Sequence, residues 1–137
     1  MRFLDTNIIL RYLTRDDPIK ARACLALFQQ VKAGQEQLYT TDSVIAEVVY
    51  VLSSKRQQYQ KSRLEIVALL APVLRLRHVR LPRKRVVIRA LILYLHYSQF
   101  DFEDALSVAA MEQIGLSEIF SYDTDFDNVP NIVRREP

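Results

Sequence analysis

The chain has 137 residues and a formal net charge of +3, half of its residues are hydrophobic, and it contains only two glycines and one cysteine. Such a chain forms one hydrophobic core, which excludes the disordered and the disulfide-stapled classes, so we expect one domain over residues 1–137. No apolar segment is long enough to span a bilayer, and Asp5 lies where a secretory signal has its apolar stretch, so we expect a soluble, cytoplasmic protein.

Apolar periodicity and turn residues predict strands and helices that alternate along the chain. The predicted elements are, in order, a strand over residues 2–4, a helix from residue 8, a helix over 18–33, a strand over 37–40, a helix that follows a cap at 41–42 and carries 45–52, a helix over 61–70, a strand over 79–81, a helix over 82–97, a helix over 101–114, a strand over 118–121 and a short strand over 132–133. The alternation predicts an α/β fold of three layers (α/β/α), with a short central parallel sheet and helices on both faces. Ligands of such sheets bind beyond the carboxyl ends of the strands, so functional residues are expected there.

Two acidic residues in the first half of the chain have mainly apolar neighbours. Asp5 follows the first strand, where the alternative to a functional role is the capping of the next helix. Glu47 is the only charge in residues 43–54, in a helix with apolar residues on nearly every side, so we expect it to be buried. A buried carboxylate must be paired or bound to a metal, and the alternative for Glu47 is a buried salt bridge.

Two further acids, in the second half of the chain, also lie where a strand ends or a helix begins. Asp104 lies in the first turn of a helix, where the helix dipole alone favours acids, and Asp101 can share its face. Asp123 follows the strand that ends at Ser121, and its alternative role is that of a turn former. Carboxylates that converge at one sheet edge repel each other, which a divalent cation relieves, and an all-oxygen ligand set favours Mg²⁺ or Mn²⁺ over zinc.

The basic and acidic residues are unevenly distributed. Residues 66–100 contain no Asp or Glu, whereas residues 101–133 contain eight acids and no Lys or Arg. The basic residues of the first stretch are Arg75, Arg77, Arg80, Arg83, Lys84, Arg85 and Arg89. We expect Arg83, Lys84 and Arg85, in the first turn of a helix opened by Pro82, to bind a phosphate backbone or an acidic segment of a partner, and two ordinary solvated faces are the alternative.

Four short segments together resemble a known family. They are DTNIIL at residues 5–10, SVIAEV at 43–48, DAL at 104–106 and SYDTDF at 121–126. Their order, their spacing and the total length are similar to those of PIN-domain ribonucleases, and within that family to VapC-type toxins of bacterial toxin–antitoxin systems. The resemblance covers essentially the whole chain. Each segment alone is weakly specific, but four in order are strongly so.

The resemblance implies a function and a set of site residues. The function is that of a Mg²⁺-dependent endoribonuclease that hydrolyses RNA phosphodiester bonds, as the toxin half of a type II pair with a cognate antitoxin protein, and as a homodimer. The implied metal-binding and catalytic residues are Asp5, Glu47 and Asp104, with Asp123 as the fourth acid.

The resemblance also implies auxiliary residues around these acids. Asn7 matches a polar position beside the first acid and is expected to help orient it. Ser121 occupies a position that is often Thr in the family and keeps the hydroxyl. Asp125 competes with Asp123 for the last acidic position, and Asp123 is preferred because it is nearer the strand end. Asp101 is a further auxiliary acid beside Asp104.

Three other functions account for fewer of these residues. A non-catalytic RNA- or partner-binding domain would use the basic segment 75–89 but would leave Glu47 unexplained. A haloacid-dehalogenase-like phosphatase needs a second Asp two residues after the first, where this chain has Asn7. A structure-specific DNA nuclease on the same fold would carry long insertions. We interpret His78 and His96 as surface or packing residues, and the only cysteine, Cys24, as a packing residue.

Overall fold

Short strands alternate with longer helices in the computed structural model, which describes residues Met1–Pro137. The elements are β1 (Arg2–Phe3), α1 (Thr6–Thr14), α2 (Pro18–Lys32), β2 (Leu38–Tyr39), α3 (Asp42–Ser53), α4 (Arg63–Arg75), β3 (Val79–Arg80), α5 (Lys84–His96), α6 (Phe102–Ile114), β4 (Glu118–Phe120), a 3-10 helix (Thr124–Phe126) and β5 (Val133–Arg135). Each predicted strand and helix is present, and the predicted α/β class is confirmed.

Local hydrogen bonds explain where most helices begin and end. Asp17 accepts a hydrogen bond from the backbone N–H of Lys20 at the start of α2, and Thr41 accepts one from Val44 at the start of α3. These side chains satisfy backbone donors that the first helical turn leaves unpaired. Gly115 ends α6 with a φ of +74°, a left-handed conformation that glycine adopts without a steric penalty.

Several helix ends differ from the prediction by one to five residues, and two of them, the end of α4 and the start of α5, have a clear physical reason. Helix α4 continues past Pro72 to Arg75, because Val73 and Leu74 are buried and their packing outweighs the backbone hydrogen bond that proline cannot donate. Helix α5 begins at Lys84 rather than at Pro82, because Arg83 adopts a left-handed backbone conformation with a φ of 50° and precedes the helix.

The strands form two parallel sheets, where one central parallel sheet was predicted. One has the order β1-β2-β3, with Phe3 opposite Tyr39 and Tyr39 opposite Arg80, and the other pairs β4 with β5. Side chains alternate between the two faces of a strand. In the first sheet Leu38 and Val79 are therefore buried in the core, whereas Phe3, Tyr39 and Arg80 are exposed. The carboxyl ends of β1 and β2 lead directly to the segments that carry Asp5 and Asp42.

The core is one continuous cluster of 29 buried residues that extends from Leu4 to Val129. Cys24 is buried, which raises the pKa of its thiol and confirms its interpretation as a packing residue. The His78 ring packs against Gly34, so closely that a side chain at this glycine would lie 3.3 Å from Nε2 of the ring. The ring of His96 packs against Tyr97, with 4.7 Å between the ring centroids. None of the helices combines the length and the apolar composition of a membrane span.

Candidate metal centre

Three carboxylates converge where α6 begins and β4 ends. Asp104, Asp123 and Asp125 each place one carboxylate oxygen within 4.8 Å of the others. Asp123 and Asp125 lie in the turn after β4, and this turn is held down by Phe126, which is buried with its ring centroid 5.5 Å from that of Phe100. We call Asp104, Asp123 and Asp125 the three-acid cluster.

Asp104 is held in place by a reciprocal cap with Asp101. The backbone N–H of Asp104 donates to Oδ1 of Asp101 at 2.7 Å, and the backbone N–H of Asp101 donates to Oδ2 of Asp104 at 3.2 Å. The segment before the cap is fixed by the Arg63 guanidinium, which donates to the carbonyls of Tyr94 and Ser98. The structure thus gives Asp101 the role of a helix cap beside the cluster, and the cap directs Asp104 toward it.

The charge of the three-acid cluster is not compensated by basic side chains. Burial is the largest cause that raises the pKa of Asp104 to about 6, and the negative charges of Asp101 and Asp123 raise it further. None of the three acids forms an ion pair with a Lys or Arg, although nine ion pairs occur elsewhere in the chain. Three carboxylates without a basic partner, one of which has a raised pKa, fit a bound divalent cation, which would favour their charged forms.

The raised pKa of Asp104 predicts how the metal-free protein responds to pH. Its value in the folded chain is about 6 against an ordinary value of 3.8. The folded chain therefore binds the Asp104 proton more tightly than the unfolded chain does. The stability that this proton adds is fully present below pH 3.8 and is lost as the pH rises through about 6. Thermal melts in EDTA between pH 4 and pH 7 should show this loss in the wild-type chain and not in Asp104→Asn. An identical pH profile for both proteins would contradict it.

Ser121 and Asp123 shape the turn that carries the last two acids. The backbone N–H of Asp123 donates to Oγ of Ser121 at 3.0 Å, and the backbone N–H of Asp125 donates to Oδ1 of Asp123 at 2.9 Å. The Ser121 hydroxyl therefore orders the backbone at this point. Both Asp123 and Asp125 reach Asp104, so the preference for Asp123 stays a prediction.

Asp5 and Glu47 lie in a second group around an open cavity of about 480 Å³. The other residues lining it are Thr6, Asn7, Leu10, Arg11, Val51, Gln57, Gln58 and Tyr59. Asp5 occupies the N-cap position of α1, but its side chain forms no capping hydrogen bond, so the capping alternative is not observed. No group of three ligand atoms within 4.8 Å of one another includes Asp5 or Glu47. The structure thus brings Asp104 and Asp123 together with Asp125, and this cluster includes neither Asp5 nor Glu47.

The prediction that Glu47 is buried is wrong. Its side chain is exposed to the cavity, whereas Ile45 and Val48 on the other side of α3 are fully buried. Glu47 forms no ion pair, so the buried salt bridge is also excluded, and its Oε2 accepts a hydrogen bond of 2.8 Å from the hydroxyl of Thr6. Thr6 is buried and was missed by the sequence analysis, although its position between Asp5 and Asn7 was a signal for it.

One wall of this cavity is tied down by Asp16. Oδ2 of Asp16 accepts hydrogen bonds from the hydroxyl of Tyr59 at 2.5 Å, from Arg11 at 2.6 Å and from Gln58 at 3.0 Å. The Tyr59 hydroxyl is the main cause that lowers the pKa of Asp16 to about 2, and Arg11 lowers it further. The segment after α3 is thereby held beside Glu47, a role for Asp16 that its position at a helix start did not predict.

The three basic residues predicted to line the RNA path differ in their surroundings. Lys84 donates through Nζ to the carbonyls of Leu76 (3.1 Å) and Val79, and burial lowers its pKa. Its ammonium thus has a structural contact where we predicted an RNA contact. Arg83 forms an ion pair of 3.3 Å with Asp42, and Arg85 is exposed without an ion pair.

Comparisons with known proteins agree with the four-segment resemblance. A profile of the PIN domain family matches residues 2–132. Two curated relatives, a VapC ribonuclease of Mycobacterium bovis and ribonuclease VapC13 of Mycobacterium tuberculosis, are each 26% identical over 136 residues, which is 98% of this chain and 98% of the relative. The crystal structure of Mycobacterium tuberculosis VapC20, a sarcin–ricin loop cleaving toxin, aligns over 100% of both chains with 20% identity and a TM-score of 0.41.

Proposed function

This chain belongs to the PIN domain family, and from that premise we propose that it is a Mg²⁺-dependent endoribonuclease and the toxin half of a type II toxin–antitoxin pair. The observation that carries the proposal is the three-acid cluster, whose unpaired oxygens fit a hard divalent cation. The full-length similarity to two VapC ribonucleases supports RNA as the substrate. A cognate antitoxin and a homodimer are part of the same proposal.

The residues of the chain have separate roles in the proposed hydrolysis. Asp104 and Asp123 would hold the cation, with Asp125 in reach, and Asp5 and Glu47 would complete the acidic set. A cation held there would supply a lowered pKa for a water molecule and positive charge opposite the phosphate. The cap from Asp101 keeps the Asp104 carboxylate oriented.

Two further residues keep the first acidic group in position. Thr6 donates its hydroxyl hydrogen to Glu47 and so fixes which way that carboxylate points. Asn7 lines the same cavity and offers an amide beside Asp5. Both are positioning residues in the proposal.

Incubation with total RNA tests the proposed reaction. The purified protein is incubated with Mg²⁺ or with EDTA, and the cleaved ends are mapped by sequencing. We expect discrete cuts that occur only with Mg²⁺. RNA binding without any cleavage would contradict the proposal and support the alternative of a non-catalytic binding domain.

The basic residues predict a graded salt dependence of RNA binding. Each lost phosphate contact should flatten the plot of log affinity against log salt by roughly 0.7 for a single strand. We expect this change for Arg83→Ala and Arg85→Ala on the Asp104→Asn background, without a change in the preferred sequence, because backbone contacts carry no sequence information. An unchanged slope in both variants would remove them from the RNA path.

Lys84 provides the matched contrast to these two arginines. Lys84→Met keeps the aliphatic stem but removes the ammonium donor from the carbonyls of Leu76 and Val79, of which the Leu76 carbonyl keeps the backbone N–H of Val79 as a donor. We expect the free energy of unfolding to fall by about 1–3 kcal/mol, with little change in the salt slope. A stable variant with a flatter slope would restore Lys84 to the RNA contacts.

A further inference from the structure

Two aromatic side chains and one arginine form a row across the exposed face of the first sheet. The strand register places Phe3 of β1 opposite Tyr39 of β2, and Tyr39 opposite Arg80 of β3. Phe3 is 58% and Tyr39 36% exposed, and their ring centroids are 6.3 Å apart with an interplanar angle of 46°. Adjacent strands lie about 4.8 Å apart, so the row extends over roughly 10 Å. We call Phe3, Tyr39 and Arg80 the sheet row.

The surroundings of the sheet row are positively charged. Tyr39, Arg80 and Arg77 line one shallow depression of about 350 Å³, and no acidic residue lines it. Arg77 and Arg80 are exposed, and neither forms an ion pair or a side-chain hydrogen bond with the rest of the chain. Two unpaired guanidinium groups beside exposed rings are complementary to an anionic ligand that also has flat apolar faces.

We propose that the sheet row is a stacking platform for the bases of single-stranded RNA, an inference that rests on the proposed ribonuclease function. Aromatic rings and the guanidinium plane of arginine stack on unpaired bases, and a row of such side chains on a sheet is a common way to hold a single strand. Phe3 is the last residue of β1, and Asp5, the first of the acidic residues, follows it by two positions. An RNA strand on the row therefore lies within roughly 7 Å of the position of Asp5 along the chain.

A duplex fits this surface less well than a single strand. The bases of a duplex are stacked on each other and offer no free face to Phe3 or Tyr39, so only the phosphates can contact Arg77 and Arg80. The platform thus selects for unpaired regions of an RNA, and it adds affinity without choosing one base over another.

The affinity test uses a fluorescein-labelled 12-nucleotide oligouridylate in EDTA, with all variants on the Asp104→Asn background. We expect Phe3→Ala and Tyr39→Ala each to weaken binding by roughly fivefold or more, and Tyr39→Phe, which keeps the ring, to bind like the parent. Tyr50→Ala, at an exposed tyrosine on α3, is the matched control and should also bind like the parent. Equal affinity of Tyr39→Ala and Tyr39→Phe would overturn the platform.

A fluorescence test reports stacking directly and does not depend on affinity. The chain contains no tryptophan, so Tyr39→Trp places a single indole in the sheet row. We expect saturating oligouridylate to quench its fluorescence strongly, a 12-base-pair RNA duplex to quench it weakly, and Tyr50→Trp to respond to neither. Quenching that is equal for Tyr39→Trp and Tyr50→Trp would contradict stacking at the row.

The two proposals can fail separately. If the wild-type chain cleaves RNA with Mg²⁺ but the sheet-row variants bind oligouridylate normally, the platform is wrong and the ribonuclease proposal stands. If the variants lose RNA binding but no RNA is cut, the platform stands and the nuclease proposal is wrong. Loss of binding to a polyglutamate peptide but not to RNA would assign the row to an acidic protein partner instead and overturn the platform.

Discussion

Asp104→Asn is expected to lower Mg²⁺-dependent RNA cleavage by at least about 100-fold while the protein remains folded. Mutation of residues that only support metal ligands typically costs 10–100-fold in metal affinity or activity, so removal of a proposed ligand charge should cost at least as much. Asp104 belongs to the three-acid cluster, and its carboxylate is also held by the reciprocal cap with Asp101.

Folding should survive this substitution because the geometry of the cap is retained. The side-chain oxygen of asparagine can still accept the hydrogen bond from the backbone N–H of Asp101. Burial and the charge of Asp123 raise the pKa of the Asp104 carboxyl, which means that its negative charge destabilises the metal-free fold. The substitution removes this charge, so the variant should be at least as stable as the wild type in EDTA. Thermal melts in EDTA measure this directly.

Glu103→Gln is the matched control for Asp104→Asn. It removes one carboxylate charge in the same helical turn, but Glu103 is exposed and is not part of the three-acid cluster. We expect nearly normal cleavage from this variant. Undiminished cleavage by Asp104→Asn, or an equal loss in both variants, would remove Asp104 from the catalytic machinery.

Much of the fold was predictable because its signals are local. Asp17 before Pro18, Thr41 before Asp42 and Gly115 after Ile114 mark helix ends by the hydrogen bonds and backbone angles that these residues favour, and the structure uses all three marks. Apolar periodicity and turn residues likewise placed each strand to within two residues of its observed ends.

Burial of single side chains was less predictable because it depends on distant parts of the chain. The apolar residues of α3 predicted a helix with no exposed side, yet Glu47 faces an open cavity whose far wall comes from residues 57–59. Lys84 similarly appeared free in a basic stretch, but its ammonium caps carbonyls at Leu76 and Val79. Neither contact leaves a pattern in the sequence around the charged residue itself.

The candidate site was predictable in its residue types and only partly in its grouping. Asp104 and Asp123 were expected to converge because both follow strands or start helices at one sheet edge, and the structure brings them together. Asp125 joins them because the 3-10 helix turns it back toward Asp104, a consequence of the hydrogen bond between its N–H and Asp123. The distance between this group and Asp5 depends on how the two sheets pack, which local patterns do not encode.

Glu47→Gln is expected to lower cleavage about as far as Asp104→Asn, with almost no effect on the stability of the metal-free protein. Removing one charge of a buried ion pair lowers the free energy of unfolding by roughly 3–5 kcal/mol, because the other charge stays buried without a partner. Glu47 is exposed and forms no ion pair, so this loss is not expected. The glutamine oxygen can still accept the hydrogen bond from Thr6. The unfolding free energy in EDTA should therefore change by less than about 1 kcal/mol.

The role of Thr6 separates a positioned carboxylate from one that only lies near the site. Thr6→Val has nearly the same shape and removes the donor of the 2.8 Å hydrogen bond to Glu47. We expect Thr6→Val to lower cleavage in the wild-type background and to have no further effect in the Glu47→Gln background. The effects of two substitutions that break the same contact are not additive in a double-mutant cycle. Thr6→Ser, which keeps the hydroxyl, should restore most of the activity. Additive losses from Thr6→Val and Glu47→Gln would mean that Thr6 acts through the core packing of α1 and not through the carboxylate of Glu47.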